Sequence, residues 1–179
     1  MKRLAIAILL LVMMGCSSPP TYTYTIRHPQ MNYLEFIARA DLMVKNLFPE
    51  WHVEGIPIGV DFEAVGILFA DVSRLEDGRL AINIYEEGWN LATVEDLATV
   101  LLHEYVHVKI WDELEKNILE SFCKAAIHEM VAYGVELDQT KLTVTDGMRS
   151  STGVGYRQAY AEARGYCSSE IVEHYLRVH

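Results

Sequence analysis

The chain has 179 residues, 51% of them hydrophobic, and a formal net charge of −10 at pH 7. This length supports one domain built around a single hydrophobic core. The acidic balance, with no basic stripe anywhere in the sequence, argues against nucleic acid as a partner, because phosphate contacts need clustered Lys and Arg.

The amino terminus is typical of a secretory signal. Lys2-Arg3 is followed by an apolar run over residues 4–14 and then by Gly15-Cys16. The apolar run is too short to span a bilayer stably. We therefore expect residues 1–15 to be a signal peptide that does not belong to the folded domain.

Residues 13–16, Met-Met-Gly-Cys, resemble the bacterial lipobox, although Met13 stands where that motif usually has Leu. The resemblance implies a Cys16 that is lipidated and becomes the new amino terminus, anchoring the protein to a membrane of the cell envelope. Ser17 resembles the class retained at the outer membrane. The alternative is an uncleaved membrane anchor in which Cys16 is an ordinary residue.

Export would expose the chain to an oxidising compartment, where Cys123 and Cys167 can form one disulfide. Their spacing does not show that they lie close together. Residues 16–28, with Pro19-Pro20 and alternating Thr and Tyr, lack a helical period and predict a tether. The domain then covers residues 29–179.

Apolar residues at helical spacing predict a first helix over 31–48, ended by Pro49. Three strands are predicted next, and Asp77-Gly78 favours an antiparallel hairpin between the last two. The strands cover 51–60, 65–72 and 79–85.

The next segment, 93–111, has apolar residues at the spacing of an amphipathic helix, with Thr93 as an N-cap and Asp96 three residues later. A short break leads to a second long helix over about 114–137. Residues 141–155, rich in Thr, Ser and Gly, predict a loop and a flexible cleft edge. Residues 156–178 return to helical spacing.

The helix over 93–111 contains His103-Glu104-Tyr105-Val106-His107, an H-E-x-x-H motif. Histidines four residues apart share one helix face, so both imidazoles can reach a single cation. Zinc takes imidazole nitrogen and, in catalytic sites, three protein ligands plus water. Glu104 is placed to accept the proton of that water and deliver it to a leaving amine. A pair of buried structural histidines is the alternative.

This motif resembles that of the zincin metallopeptidases. The metzincin continuation fails twice, because Ile110 and Glu113 stand where it requires Gly and His. Gluzincins take a Glu from the next helix, often within E-x-x-A, and Glu129-Met130-Val131-Ala132 is at a suitable distance. The resemblance therefore implies a small α+β gluzincin domain with Glu129 as the third zinc ligand.

The expected domain has an N-terminal helix, a short antiparallel or mixed three-stranded sheet, the active-site helix, the ligand-bearing helix and a C-terminal helix. In zincins the strand before the motif helix is a sheet edge that pairs with extended substrate, which here is the strand over 80–85. An ordinary buried strand is the alternative.

Three other residues compete with Glu129 for the metal. At about 100° per residue, Glu120 faces the opposite side of the helix, and His128 is displaced by one residue's rotation. Glu136 shares the favoured face about two turns further on, as the fallback ligand or the partner of a histidine. The face around Glu129 is mostly small and apolar, and it comprises Phe122, Ala125, Ala126, Ala132 and Tyr133.

The resemblance also implies a Tyr or His from the C-terminal region that stabilises the oxyanion, and four residues qualify by type: Tyr156, Tyr160, Tyr166 and His174. The sequence thus predicts a lipid-anchored zinc endopeptidase of the cell envelope, acting on peptide or protein substrates. One alternative is a non-catalytic zinc-binding envelope lipoprotein that acts as a binding module. Another is a structural lipoprotein without metal, in which the motif is accidental.

Overall fold

The structure is a computed structural model that describes residues 32–61, 69–85, 88, 91, 93–117, 119–138 and 141–178. The predicted signal peptide, the tether and Cys16 lie outside these residues. Among the described helices, none has the length and hydropathy needed to cross a bilayer.

The described chain is a mixed α+β structure, which confirms the predicted class in general terms. It contains five helices and three strands in the order α1 (Tyr33–Leu47), β1 (Ile58–Asp61), β2 (Ala70–Arg74), β3 (Leu80–Tyr85), α2 (Val94–Lys116), α3 (Ser121–Leu137), α4 (Asp146–Tyr166) and α5 (Ser169–Val178).

The sheet has the strand order β1-β3-β2, with β1 parallel and β2 antiparallel to β3. The predicted hairpin between β2 and β3 is confirmed. Gly78 adopts a φ of 86° in its turn, a conformation that glycine reaches without strain. The Asp77 side chain accepts a hydrogen bond from the Arg79 backbone N–H at 3.0 Å, which holds the turn.

The expectation that the strand over 80–85 forms the sheet edge was wrong. β3 is the central strand, and the side chains of Ala81, Ile82 and Ile84 are buried. The tight hairpin places β2 on one side of β3, and the parallel pairing of β1 occupies the other side. The strand that borders the candidate site is therefore β2.

Two apolar clusters support α2 from different sides. One lies between α1, the sheet and the first half of α2, with Val44, Ile82, Ile84, Leu97 and Leu101 fully buried. The other joins the second half of α2 to α3, α4 and α5 through residues that include Ile110, Leu114, Ile127, Met130 and Ala163. The second cluster contains the disulfide that the sequence allowed, between Cys123 and Cys167.

The helix boundaries differ from the prediction at two places. α2 runs on to Lys116 because Ile110 and Leu114 continue its buried stripe, so it ends at Lys116 rather than at Trp111, and α3 begins only at Ser121. The predicted helix over 156–178 is divided, because α4 ends at Tyr166 and α5 begins at Ser169.

The predicted loop over 141–155 was wrong in its larger part. Residues from Asp146 onward form α4, which Thr145 caps by accepting a hydrogen bond from the Met148 backbone N–H. Thr145 also donates through its backbone N–H to the buried carboxylate of Asp96 in the first turn of α2, at 2.9 Å. The start of α4 is thus fixed to the start of α2, and the segment is a packed helix rather than a flap.

Candidate metal centre

The motif lies near the middle of α2, whose start is fixed as predicted: the Thr93 hydroxyl accepts a hydrogen bond from the Asp96 N–H at 3.0 Å. His103, Glu104 and His107 are buried. Tyr105 faces the other way, and its hydroxyl donates to Asp41 of α1. The intervening residue thus joins α2 to α1, while the histidines face the cleft.

Glu129 of α3 meets both histidines. Its Oε2 lies 3.4 Å from His103 Nε2, and its Oε1 lies 3.5 Å from His107 Nε2. One potential ligand atom from each of these residues falls within 4.8 Å of the others. The structure therefore brings together the three predicted ligands in a group that can hold a metal ion.

The side chain of Glu129 is partly exposed, although the helix face around it is mostly small and apolar. Its side chain is 45% exposed, towards the cleft, whereas those of the two histidines are 10% and 11% exposed. Glu129 is therefore only partly removed from solvent, which weakens burial as a reason to assign it as a ligand. Geometry is the stronger reason to assign it as a ligand.

Glu136, the fallback ligand, instead contacts the Nδ1 side of the His103 ring, opposite the Nε2 that faces Glu129. One carboxylate oxygen meets His103 Nδ1, and the other accepts a hydrogen bond from the Thr152 hydroxyl of α4 at 2.7 Å. An ionised carboxylate can only accept hydrogen bonds, so the Nδ1–H of His103 donates to Glu136 and the Nε2 lone pair of the neutral ring remains available to a metal. Glu136 thus orients a histidine, which was the second role expected for it.

The charges of the site favour a cation. Burial alone would lower the pKa of His103, but the carboxylates of Glu136 and Glu129 outweigh it and raise that pKa well above 6.5. Burial would likewise raise the pKa of Glu129, whereas its interactions with His103 and His107 bring that pKa below its usual value. Positive charge placed among these carboxylates, whether a proton or a metal ion, is therefore stabilised.

Glu104 is the third acidic group at the site. Burial raises its pKa, and the neighbouring His103 and His107 oppose that effect. Both histidine Nε2 atoms face Glu129 rather than Glu104. The carboxylate of Glu104 is therefore available for a role other than metal ligation.

A cleft of about 500 Å³ opens at the three ligand residues, between β2, α2, α3 and α4. The competing residues on α3 do not join the group. Glu120 lies at the exposed N-cap position of α3. His128 lines the cleft, where its ring packs 5.3 Å from the His107 ring, and burial lowers its pKa to about 4.

Other details of the predicted α3 face need correction. Phe122 is 56% exposed, and its ring lies 5.5 Å from that of Tyr166 at the surface.

None of the four residues expected to stabilise an oxyanion lines the cleft. Tyr156 and Tyr160 stack on each other, and His174 lies 3.9 Å from Glu113.

Sequence reasoning gave no role to Tyr133, one helical turn after Glu129. Its ring packs edge-on against His103 with centroids 4.6 Å apart, and it lines the cleft. Burial, followed by the charges of Glu129, Glu136 and Glu104, raises its pKa, so the phenol retains its proton at neutral pH. The spacing of four residues from Glu129 was the signal available in the sequence.

Comparison with protein-family models, with curated proteins and with solved structures found no significant match.

The assignment of Glu129 is tested by Glu129→Ala, with Glu120→Ala as the control on the same helix. Loss of a ligand should weaken zinc binding by roughly a hundredfold or more, since outer partners of metal ligands are alone worth about 10–100-fold. The rise in Tm on adding zinc should shrink in parallel. Glu120→Ala should change neither quantity. Unaltered zinc affinity in Glu129→Ala would remove Glu129 from the site.

Proposed function

We propose that the protein is a zinc-dependent endopeptidase of the gluzincin type. The observation that carries the proposal is the approach of Glu129 to both motif histidines. Ligands of a tetrahedral zinc ion, with bonds of about 2.0–2.1 Å, are separated by about 3.3–3.4 Å. The two N···O distances of 3.4 and 3.5 Å match that separation, and they exceed the usual range of a hydrogen bond.

The donor set also suits zinc by its chemistry, because two imidazoles and one carboxylate form a known catalytic set that leaves a position for water. When bound, zinc supplies a Lewis acid that polarises a carbonyl and lowers the pKa of water. His103, His107 and Glu129 would hold the ion. Glu136 would keep the Nε2 lone pair of His103 directed at it.

Glu104 is the proposed proton carrier. Its carboxylate would accept a proton from the attacking water and later deliver that proton to the leaving amine. A domain that only binds metal has no chemical need for an acid in this position, which supports an enzyme over a binding module.

The substrate is proposed to be an extended polypeptide. β2 is an outer strand of the described sheet, and Phe69, Ala70, Asp71 and Val72 line the cleft. The unpaired side of such a strand can add one more strand through backbone hydrogen bonds. Substrate bound in this way would run alongside the three ligand residues.

The proton transfer is tested by Glu104→Gln, with Glu115→Gln as the control at an exposed position of the same helix. Glu104→Gln should retain stoichiometric zinc, measured by metal analysis that also counts iron and manganese. Its hydrolysis of peptide-library substrates should fall by about a thousandfold or more. Undiminished turnover would contradict the role of Glu104. Bound zinc without hydrolysis by the wild-type protein would instead support the binding module.

Tyr133 is the proposed donor to the substrate carbonyl oxygen as that oxygen becomes negative. Its hydroxyl makes no hydrogen bond with another described residue, and it faces a cleft that also contains Glu104. Gly155 of α4 leaves the space that the ring of Tyr133 occupies, because a Cβ at residue 155 would lie 2.5 Å from Tyr133 Cζ. The glycine that suggested a loop therefore permits close helix packing at this tyrosine.

Two variants test this role. Tyr133→Phe should lower kcat by roughly 10²–10³-fold with little change in KM, as for other donors to a developing oxyanion. Gly155→Ala should displace the ring and lower both kcat and Tm. Gly165→Ala, on the same helix with nothing within 4 Å of the added Cβ, should preserve kcat. A kcat unchanged in Tyr133→Phe would rule out the donor role.

The cell-envelope location is proposed from the sequence, with lipidation at Cys16. The disulfide between Cys123 and Cys167 supports export, because such bonds persist in oxidising compartments. Cys16→Ser should abolish lipid labelling and move the protein from the membrane fraction to the soluble fraction. The internal disulfide should remain, as measured by thiol alkylation and mass spectrometry. Unchanged labelling would refute the anchor.

A further inference from the structure

One carboxylate of the cleft is held away from the metal ligands. Asp71 lies on β2 directly opposite Asn83 of β3. Its Oδ1 accepts a hydrogen bond from Asn83 Nδ2 at 2.8 Å, and its Oδ2 accepts one from the Tyr85 hydroxyl at 2.6 Å. Both donors are neutral, so they orient the carboxylate without cancelling its charge. Each oxygen retains a lone pair for another donor.

Asp71 belongs to the same cleft as the metal centre. It lines the cleft together with its strand neighbours Ala70 and Val72. Glu104 of α2 and Glu129 of α3 line this cleft as well, so a group bound by Asp71 would lie in the cavity that contains the candidate metal ligands.

The cleft keeps negative charge after a metal is counted. Its described lining residues include no Lys or Arg. They include four carboxylates, those of Asp71, Glu104, Glu129 and Glu136. A divalent ion offsets two of these charges. Arg74, further along β2, donates to the Gly78 carbonyl at 3.0 Å and lies over the Trp111 ring, 5.8 Å from its centroid. The guanidinium of Arg74 therefore interacts with the hairpin and with Trp111 at one end of the cleft.

We propose that Asp71 binds a cationic group of the substrate, so that the cleft selects peptides carrying Lys or Arg close to the scissile bond. This inference rests on the proposed peptidase function. Side chains of an extended substrate alternate between the two faces of the sheet, so a chain paired with β2 presents every second side chain on the face of Asp71. A carboxylate already oriented by Asn83 and Tyr85 binds an ammonium or guanidinium group with little further ordering.

The experiment compares peptides that differ at one residue. Blocked peptides, acetylated and amidated, carry Lys, norleucine or Glu at each position around the cleaved bond, and kcat/KM is measured with the zinc-loaded protein. The same peptides, fluorescently labelled, are titrated by anisotropy into zinc-loaded Glu104→Gln protein, which reports binding without turnover. A further series with a free amino terminus separates a side-chain cation from a terminal one.

Three variants are compared with the parent protein in both assays. Asp71→Asn removes the charge, Asp71→Lys reverses it, and Glu76→Gln removes an exposed acid from the hairpin turn between β2 and β3. Zinc content and Tm are measured for each, so that a folding defect is recognised.

At one position, the wild-type protein and Glu76→Gln should prefer the Lys peptide over the norleucine peptide by roughly ten- to a hundredfold, the usual worth of a hydrogen bond to a charged group. Asp71→Asn should lose that preference, and Asp71→Lys should prefer Glu. Equal kcat/KM for all three side chains, or a Lys preference that survives Asp71→Asn, would overturn the proposal while leaving the peptidase intact. A preference that appears only with a free amino terminus would overturn the side-chain assignment.

If no peptide is hydrolysed, the peptidase proposal fails and the binding arm still decides the role of Asp71. Tighter binding of the Lys peptide that depends on Asp71 would support a site for cationic polypeptide. Equal binding of the three peptides would refute it.

Discussion

Four ionisable side chains are buried where α2 meets α3, and a charge buried in this way is costly unless another charge or a hydrogen bond compensates it. Two are the histidines of the motif, and two are Glu104 and Glu136. Glu136 meets His103 on one side, and Glu129 meets both histidines on the other. A cation among these groups offsets the cost of burying carboxylates, which is several kcal/mol for an isolated ion.

This charge compensation links three helices that contribute unequally to the ligand set. α2 provides two imidazoles, α3 provides Glu129, and α4 provides no ligand. α4 nevertheless controls the site from outside, because Thr152 fixes Glu136 and Gly155 leaves space for Tyr133. The link between Asp96 and Thr145 holds α4 against α2 at their amino ends. Residues distant from the motif in the sequence thus contact the side chains around the group that can hold a metal ion.

Local patterns predicted the parts of the structure that depend on local geometry. The spacing of four residues between His103 and His107 is sufficient to place both on one face, and the rotation along α3 separates Glu129 from Glu120. The β2–β3 hairpin follows from its Asp-Gly turn. The grouping of His103, His107 and Glu129 and the contact of Glu136 with His103 were therefore within reach of the sequence, although Glu129 also needed the resemblance to gluzincins.

Long-range packing explains what the sequence did not predict. The central position of β3 depends on the parallel pairing with β1, for which no local pattern exists. The glycines at the start of α4 are typical of a loop, and only the contact with Tyr133 explains why residue 155 is glycine. Tyr133 and Asp71 belong to no motif. Their relevance arises from neighbours on other elements, which a sequence pattern does not specify.

The disulfide also has a consequence for the durability of the chain among proteases. Cys123 precedes Glu129 on α3, and Cys167 follows the end of α4. A proteolytic cut in the connection between these helices, for example next to the exposed Lys141, would leave two fragments that the disulfide still joins. Both helices would then remain packed with Glu129, Glu136 and Thr152 in place, so a nicked molecule would retain the residue group that can hold a metal ion.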